Sequence, residues 1–179
     1  MSMTRTTRAL LCGAAAAMLT LTAQDTNKDS KTLHPEMTVA PDAGSYDKPA
    51  GTLGQKPTSE WTDTTVAAGV AKKPLDGKLV TVTGEVIDLS CYLQLGKHGE
   101  KHKACGTKCL QSGQPIGLLT KDGDIYMLMA EEHDPRRDGQ TEDFRKAAID
   151  NFAKIVEVTG TATSHNGFRA LYVQGYVAK

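Results

Sequence analysis

Two turn motifs constrain the fold of this chain more than any other feature. Asp122-Gly123 and Asn166-Gly167 each separate two short runs rich in apolar and β-branched residues. Pairs of this kind favour the tight turn of a β-hairpin. The four strands that they predict are 115–121, 124–130, 154–163 and 168–177. The carboxyl-terminal half of the chain is therefore expected to be mainly β-structure.

A further strand and a helix complete the predicted domain. Residues 78–90 alternate apolar and polar side chains as far as Val86, which is typical of a strand with one buried face. Residues 141–153 begin with Thr141 as a helix N-cap and then place apolar side chains at helical spacing. Five strands with one helix between the third and the fourth is the order of an OB-fold, a small β-barrel. We therefore predict a mainly β, OB-fold-like barrel over residues 76–179.

The loop between the first two strands contains three of the four cysteines of the chain. It spans residues 91–114, and within it Gly99 and Gly113 bracket a stretch that predicts a short helix over 100–112. OB-type barrels commonly bind their ligands through this loop. We therefore expect a functional site here.

The same loop contains a candidate set of metal ligands. On the predicted helix, His102, Cys105 and Cys109 lie at positions i, i+3 and i+7 and would share one face. Cys91, at the end of the first strand, is expected to reach that face. Three thiolates and one imidazole form a tetrahedral set typical of zinc, and soft thiolates suit copper(I) equally. The predicted ligands are therefore Cys91, His102, Cys105 and Cys109, with His98 as an alternative imidazole.

The first 23 residues have the pattern of a secretory leader. Arg5 and Arg8 precede an apolar, alanine-rich run over 9–21, and small residues before Gln24 suit cleavage. Because the run is too short for a comfortable membrane span, we expect a periplasmic or secreted protein with no stable span after cleavage. A retained anchor is the alternative. Cleavage would also remove Cys12 and leave an odd number of cysteines, which a framework of disulfides alone does not explain.

The segment between the leader and the barrel predicts a flexible tether. Residues 24–75 are rich in Thr, Lys, Asp, Pro, Gly and Ala and have no steady apolar period. Trp61, the only tryptophan, marks either a short stretch that docks on the barrel or an exposed turn.

Charge and motifs narrow the function classes. The chain has 21 basic and 21 acidic residues, which argues against nucleic-acid binding, because that activity relies on an excess of basic contacts to phosphate. The sequence has no glycine-rich phosphate loop, no GxSxG and no HExxH. The sequence therefore favours a binding domain over an enzyme. Its binding partner is not identified, and a protein is the class of partner that these observations leave open.

Two alternatives to metal binding also stay open. Cys91 could form a disulfide with Cys105 or Cys109, which would brace the loop of a structural or interaction module. The thiols could instead carry out thiol–disulfide exchange, because neighbouring lysines would stabilise thiolates. However, the CxxxC spacing differs from the CxxC of thioredoxin-like proteins, and no βαβ pattern surrounds it.

The loop and its flanking strands resemble a set of small exported bacterial OB-fold-like domains of unassigned function. The shared pattern is GxVxDxxCY, then HxxCxxxC, then GxPxGLL, within about residues 78–177. The matching residues are Gly84, Asp88, Cys91, Tyr92, His102, Cys105, Cys109, Gly113 and Pro115. The resemblance implies an OB-like barrel with a cysteine–histidine loop and assigns no activity. Our functional hypothesis, metal binding by an exported domain, is based on the shared helix face of the candidate ligands and on the odd number of cysteines after cleavage.

Overall fold

The computed structural model describes residues 42–131 and 140–174. Its helices and strands, in chain order, are β1 (Thr52–Leu53), α1 (Asp63–Ala68), β2 (Lys78–Asp88), α2 (Leu89–Leu95), α3 (Lys103–Gln111), β3 (Ile116–Thr120), β4 (Ile125–Ala130), α4 (Gln140–Asp150), β5 (Ile155–His165) and β6 (Phe168–Val173). Short 3-10 helices over Val70–Lys72 and Glu100–His102 precede β2 and α3 respectively.

Five of the strands close into a barrel. Their order is β2-β3-β4-β6-β5, and β5 pairs with β2 to complete the circle. Neighbours are antiparallel except β4 and β6, which run parallel. This order, with α4 between β4 and β5, is that of an OB-fold, so the predicted mainly β, OB-fold-like barrel is confirmed.

Both predicted hairpins are present. Gly123 has φ +85° in the turn between β3 and β4, while Asn166 and Gly167 have φ +51° and +82° between β5 and β6. These positive φ values are ones that glycine and asparagine adopt at low cost, whereas most other residues do not. The turn chemistry of the sequence therefore sets these two strand pairings.

The hydrophobic core fills the barrel and extends under two helices. From α4 and the turn that follows it, Phe144, Ala148 and Phe152 are buried at the spacing expected of one helix face, and Leu110 of α3 joins them. From the barrel, the core includes Val86, Leu118, Leu128, Val156, Val158, Leu171 and Val173. α3, which belongs to the loop between β2 and β3, is therefore packed on the core.

The boundaries of the loop elements differ from the prediction. β2 ends at Asp88, and the chain turns directly into α2, which the alternation pattern did not predict. The cause is the Asp88 side chain, which accepts a hydrogen bond from the Cys91 amide (3.1 Å) and so caps the first turn of α2. The helix predicted over 100–112 is a 3-10 turn followed by α3. β6 ends at Val173, and residues 175–179 lie outside the described part of the chain.

Residues 42–75 lie against the barrel. β1 pairs in parallel with β5, and its Leu53 is buried in the core. The Trp61 ring packs edge to face on Tyr172 with ring centroids 5.3 Å apart, and its Nε1 donates to the Leu75 carbonyl at 2.9 Å. Trp61 thus marks a segment that docks on the barrel.

The composition of residues 24–75 favours a flexible tether, and the structure shows contacts with the barrel for the part of this segment over 42–75. These contacts cannot be predicted from composition, because they are formed by backbone pairing and by one aromatic side chain and not by a periodic apolar pattern. Residues 24–41 and the predicted leader lie outside the described residues. None of the helices in the described ranges is long and apolar enough to span a bilayer.

Candidate metal centre

Asp88 lies at the junction of β2 and α2 and is completely buried. Its Oδ1 accepts the amide of Cys91, which caps α2. Its Oδ2 is also buried and has no hydrogen-bond partner among the described residues. A buried carboxylate oxygen without a partner is costly, because its hydration is lost without replacement. Oδ2 is therefore a candidate ligand atom.

His102 ends the 3-10 turn that leads into α3 and is 3% exposed. Its ring packs edge to face on Phe152, with centroids 6.0 Å apart. Its Nε2 is buried and makes no hydrogen bond to any described residue. Burial lowers the pKa of His102, and the negative charge of Asp88 opposes that effect. A neutral imidazole with a buried, unused nitrogen is suited to binding a metal.

Asp88, Cys91 and His102 converge on one point. One ligand atom from each, a carboxylate oxygen, a thiol sulfur and a ring nitrogen, lies within 4.8 Å of the other two. We call these three residues the Asp–Cys–His cluster. Oxygen, sulfur and nitrogen from these residue types are the ligands that zinc uses in proteins. The cluster can therefore hold a metal ion.

The other two thiols, of Cys105 and Cys109, are not in this group of mutually close ligand atoms. The pKa of Cys91 is raised to about 12, first by burial and then by the adjacent Asp88 carboxylate. The pKa of Cys109 is also raised, by partial burial, by Asp88 and by the neighbouring Cys105 thiol. Cys109 is half-buried and Cys105 is exposed, and all three are free thiols. Cys109 is thus beside the cluster, with Cys105 on its outer side.

The predicted ligand set is therefore brought together in part. Cys91 and His102 belong to the cluster, whereas Cys105 and Cys109 are not in the group of mutually close ligand atoms found among the described residues. The reason is the rotation of the helix. The buried positions of this segment are spaced four residues apart, at His102, Gly106 and Leu110. Cys105 and Cys109 each precede one of these positions and therefore lie at the edge of the buried face.

Asp88 is the ligand candidate that the sequence reasoning missed. The shared sequence pattern includes Asp88 but assigns it no role. Two signals could have identified it: an acidic residue at the end of a strand of apolar residues, and its position three residues before Cys91. An aspartate at a helix N-cap keeps one oxygen for the helix and leaves the other for a ligand.

His98, the predicted alternative imidazole, has another partner. Its Nδ1 lies 2.9 Å from Oε2 of Glu85, and its ring packs edge to face on Tyr92. Oε1 of the same buried Glu85 accepts the Gly99 amide at 2.7 Å. His98 is therefore a loop anchor and not part of the cluster. Glu85 ties the loop to β2 just before the turn that carries His102.

We expect Glu85→Gln to destabilise the protein. One carboxylate accepts from both His98 Nδ1–H and the Gly99 amide. The glutamine amide keeps one acceptor oxygen and presents N–H₂ on the other side, so His98 has to change tautomer and both bonds to an ionised acceptor are lost. The expected loss of unfolding free energy is about 1–3 kcal/mol, measured by urea denaturation. Glu100→Gln, which removes a half-exposed pair with Lys103, is the control and should change stability by less than about 0.5 kcal/mol. Equal effects of the two substitutions would contradict the anchoring role.

Comparison with protein-family models, with curated proteins and with solved structures found no match for this chain. The likeness of the cysteine–histidine loop to exported bacterial domains therefore remains a resemblance of sequence pattern.

Proposed function

We propose that this chain is an exported domain that binds one metal ion through Asp88, Cys91 and His102, with Cys109 as the fourth ligand. One observation carries the proposal. Two buried polar atoms, Asp88 Oδ2 and His102 Nε2, have no hydrogen-bond partner among the described residues, and these two residues form one cluster with Cys91.

A metal ion accounts for this arrangement better than an ion pair does. A protonated His102 bonded to Asp88 would satisfy both residues, yet neither Nε2 nor Oδ2 has a hydrogen-bond partner in the described structure. In a tetrahedral zinc site the ligand atoms are about 3.5 Å apart, as follows from metal–ligand distances of about 2.0–2.3 Å. The three ligand atoms of the cluster all lie within 4.8 Å of one another, which is compatible with that spacing.

The chemistry of the ligands favours zinc over copper(I). Zinc accepts carboxylate, imidazole and thiolate ligands together, whereas copper(I) prefers soft sulfur ligands. The exposed Cys105 is not needed for a set of four. With Cys109 completing the tetrahedron, no coordination position remains for water, which supports metal binding rather than catalysis.

The raised thiol pKa values count against the thiol–disulfide exchange alternative. Reactive thiols of that class have lowered pKa values, so that the thiolate is available near neutral pH. Cys91 and Cys109 have the opposite shift. The leader pattern of the first 23 residues supports export, and metal binding would protect free thiols in an oxidising compartment.

Zinc titration of the full chain, produced without a histidine tag, tests the proposal. We expect one zinc per chain, measured by elemental analysis and by competition with a chelator. Cys91→Ser should weaken zinc binding at least about 100-fold, whereas Cys105→Ser, a matched change at an exposed thiol, should not. A chain that binds no stoichiometric zinc, or for which Cys91→Ser and Cys105→Ser behave alike, would overturn the assignment. Tighter binding of copper(I) than of zinc would assign the site to copper.

Zinc affinity should fall steeply as the pH is lowered. In the metal-free protein the pKa values of Cys91 and Cys109 are above the ordinary thiol value, so both thiols are protonated near neutrality, while the lowered pKa of His102 leaves that ring neutral. Binding then releases two protons, and the apparent association constant should change about 100-fold per pH unit above pH 7.

Chelator competition at several pH values measures this slope. Cys109→Ser should reduce it to about tenfold per unit, because only one thiol then loses a proton. A slope unchanged in that variant would remove Cys109 from the ligand set.

A further inference from the structure

The proposed zinc site has a buried side and an accessible side. Asp88 and His102 are at most 3% exposed, so they form the side that faces the core. On the other side, Cys91 and Cys109 are half-buried and Cys105 is exposed. A partner molecule therefore reaches a bound ion from the side of the cysteines.

Cys105 is the thiol that the proposed ligand set does not use. It lies on α3 about one helical turn before Cys109. The pKa of Cys109 is raised by burial and by Asp88, and also by the Cys105 thiol. Cys105 contributes in the same direction to the pKa of Cys91, after burial, Asp88 and Cys109. Cys105 is thus an exposed thiol close to two of the proposed ligands.

The loop that carries these thiols is basic, unlike the chain as a whole. Residues 89–114 contain four lysines and one acidic residue, whereas the whole chain has equal numbers of basic and acidic residues. The acidic residue is Glu100, which pairs with one of these lysines at 3.3 Å. An excess of positive charge around a site attracts an acidic partner and speeds its association. The four lysines are Lys97, Lys101, Lys103 and Lys108.

The same loop also exposes apolar side chains. Leu93 and Leu95 belong to α2, the helix that carries Cys91, and they are 68% and 44% exposed. A protein partner can cover such side chains, whereas a small anion has no use for them. The chemistry of this surface therefore favours an acidic protein.

From the exposed additional thiol, the accessible side of the site and the basic loop around it, we infer that this domain passes its zinc ion to an acidic protein partner that binds zinc through thiolates. Cys105 is the residue through which the ion leaves. The inference rests on the proposed zinc site and adds to it the class of partner and the path of transfer.

The transfer is a series of ligand exchanges. Zinc can expand from four ligands to five, so Cys105 can bind the ion before another bond breaks. The Cys105 sulfur loses its proton and bonds the ion, the bond from the ion to Cys109 breaks, and the Cys109 sulfur takes up a proton. Thiols of the partner then replace the remaining ligands in the same way. Each exchange of one thiol for another releases and takes up one proton, and no electrons are transferred.

Zinc loss from the loaded full chain tests the inference. EDTA in fixed excess captures every released ion, and a small dithiol is added at increasing concentration. The dithiol is either dimercaptosuccinate, which carries two carboxylates, or dithiothreitol, which is neutral. We expect the rate of zinc loss to rise in proportion to the concentration of either dithiol and to be about tenfold faster with the anionic one at low salt. The difference should shrink at about 1 M salt, because the charges are then screened.

Two pairs of variants assign these effects to residues. Cys105→Ser should lose zinc at least about tenfold more slowly than the parent chain at the same dithiol concentration, with an unchanged equilibrium affinity. Ala104→Ser, at the exposed neighbouring position on α3, is its control and should behave as the parent chain does. Lys108→Gln should reduce the advantage of dimercaptosuccinate about twofold, whereas Lys146→Gln, at an exposed lysine of α4, should not.

Equilibrium zinc binding, measured first, separates this inference from the proposed function. A chain that binds one zinc ion but loses it at a rate independent of the dithiol contradicts the transfer and leaves the zinc site standing. The same holds if Cys105→Ser loses zinc as fast as the parent chain, or if it binds zinc more weakly, which would make Cys105 a resident ligand. Equal rates with both dithiols would exclude an acidic partner. A chain that binds no zinc overturns both proposals.

Discussion

Replacing Asp88 by asparagine is expected to make the protein more stable than the parent chain without zinc and less stable than the parent chain with zinc. In a chelator the variant should be about 1 kcal/mol or more stable than the parent chain, because a neutral amide costs less to bury than a carboxylate oxygen without a partner. In zinc the order should invert. The parent chain gains about 4 kcal/mol when free zinc exceeds Kd about 1,000-fold, whereas the variant lacks the anionic ligand and should gain almost nothing.

Asparagine is the informative replacement because it keeps the local structure. Its side-chain oxygen can still accept the Cys91 amide, and asparagine is among the best helix N-caps, so α2 should be retained. Denaturant unfolding in chelator and in zinc measures both differences. Asp150→Asn, at an exposed carboxylate paired with Lys146, is the control and should respond to zinc as the parent chain does. If Asp88→Asn is less stable than the parent chain by the same amount in both solutions, Asp88 is a structural residue and not a ligand.

The barrel could be predicted because its determinants are local in sequence. The turns at Gly123 and Asn166-Gly167 specify two hairpins through backbone conformations that few residues adopt. The burial of Phe144, Ala148 and Phe152 follows from an apolar period. Once two hairpins, one long strand and one helix are given in this order, few closed topologies remain.

The site could be predicted only to the level of its loop. Cysteine and histidine are conspicuous residue types, so their chemistry predicts Cys91 and His102 as candidate ligands, and the structure places both in the Asp–Cys–His cluster. The role of Asp88 depends on the turn from β2 into α2, which buries a carboxylate that the alternation pattern treats as the end of a strand. The position of Cys105 depends on the rotation of α3 about its axis, and that is fixed by Gly106 and Leu110 packing on the core.

Substituting Gly106 by alanine should destabilise the protein, although alanine is ordinarily the better helix former by about 1 kcal/mol. Gly106 is buried within α3, and a Cβ atom there would overlap the end of the Phe152 ring. Phe152 is itself buried, so the ring cannot move freely into solvent. Overpacking of this kind costs about 1–3 kcal/mol, which outweighs the helix propensity. Urea denaturation of the metal-free protein should show a net loss in that range.

The same substitution should also weaken zinc binding, because Phe152 packs on the His102 ring. A ring displaced by the new methyl group would shift His102 relative to Asp88 and Cys91, and we expect about a tenfold loss of affinity. Phe152→Leu supplies the matched test, since it shortens the side chain that the methyl group meets. The double variant should be more stable than the sum of the single changes predicts, by about 1 kcal/mol or more. If the two changes are additive, the contact between Gly106 and Phe152 does not set the position of α3. Zinc affinity would then be independent of that contact.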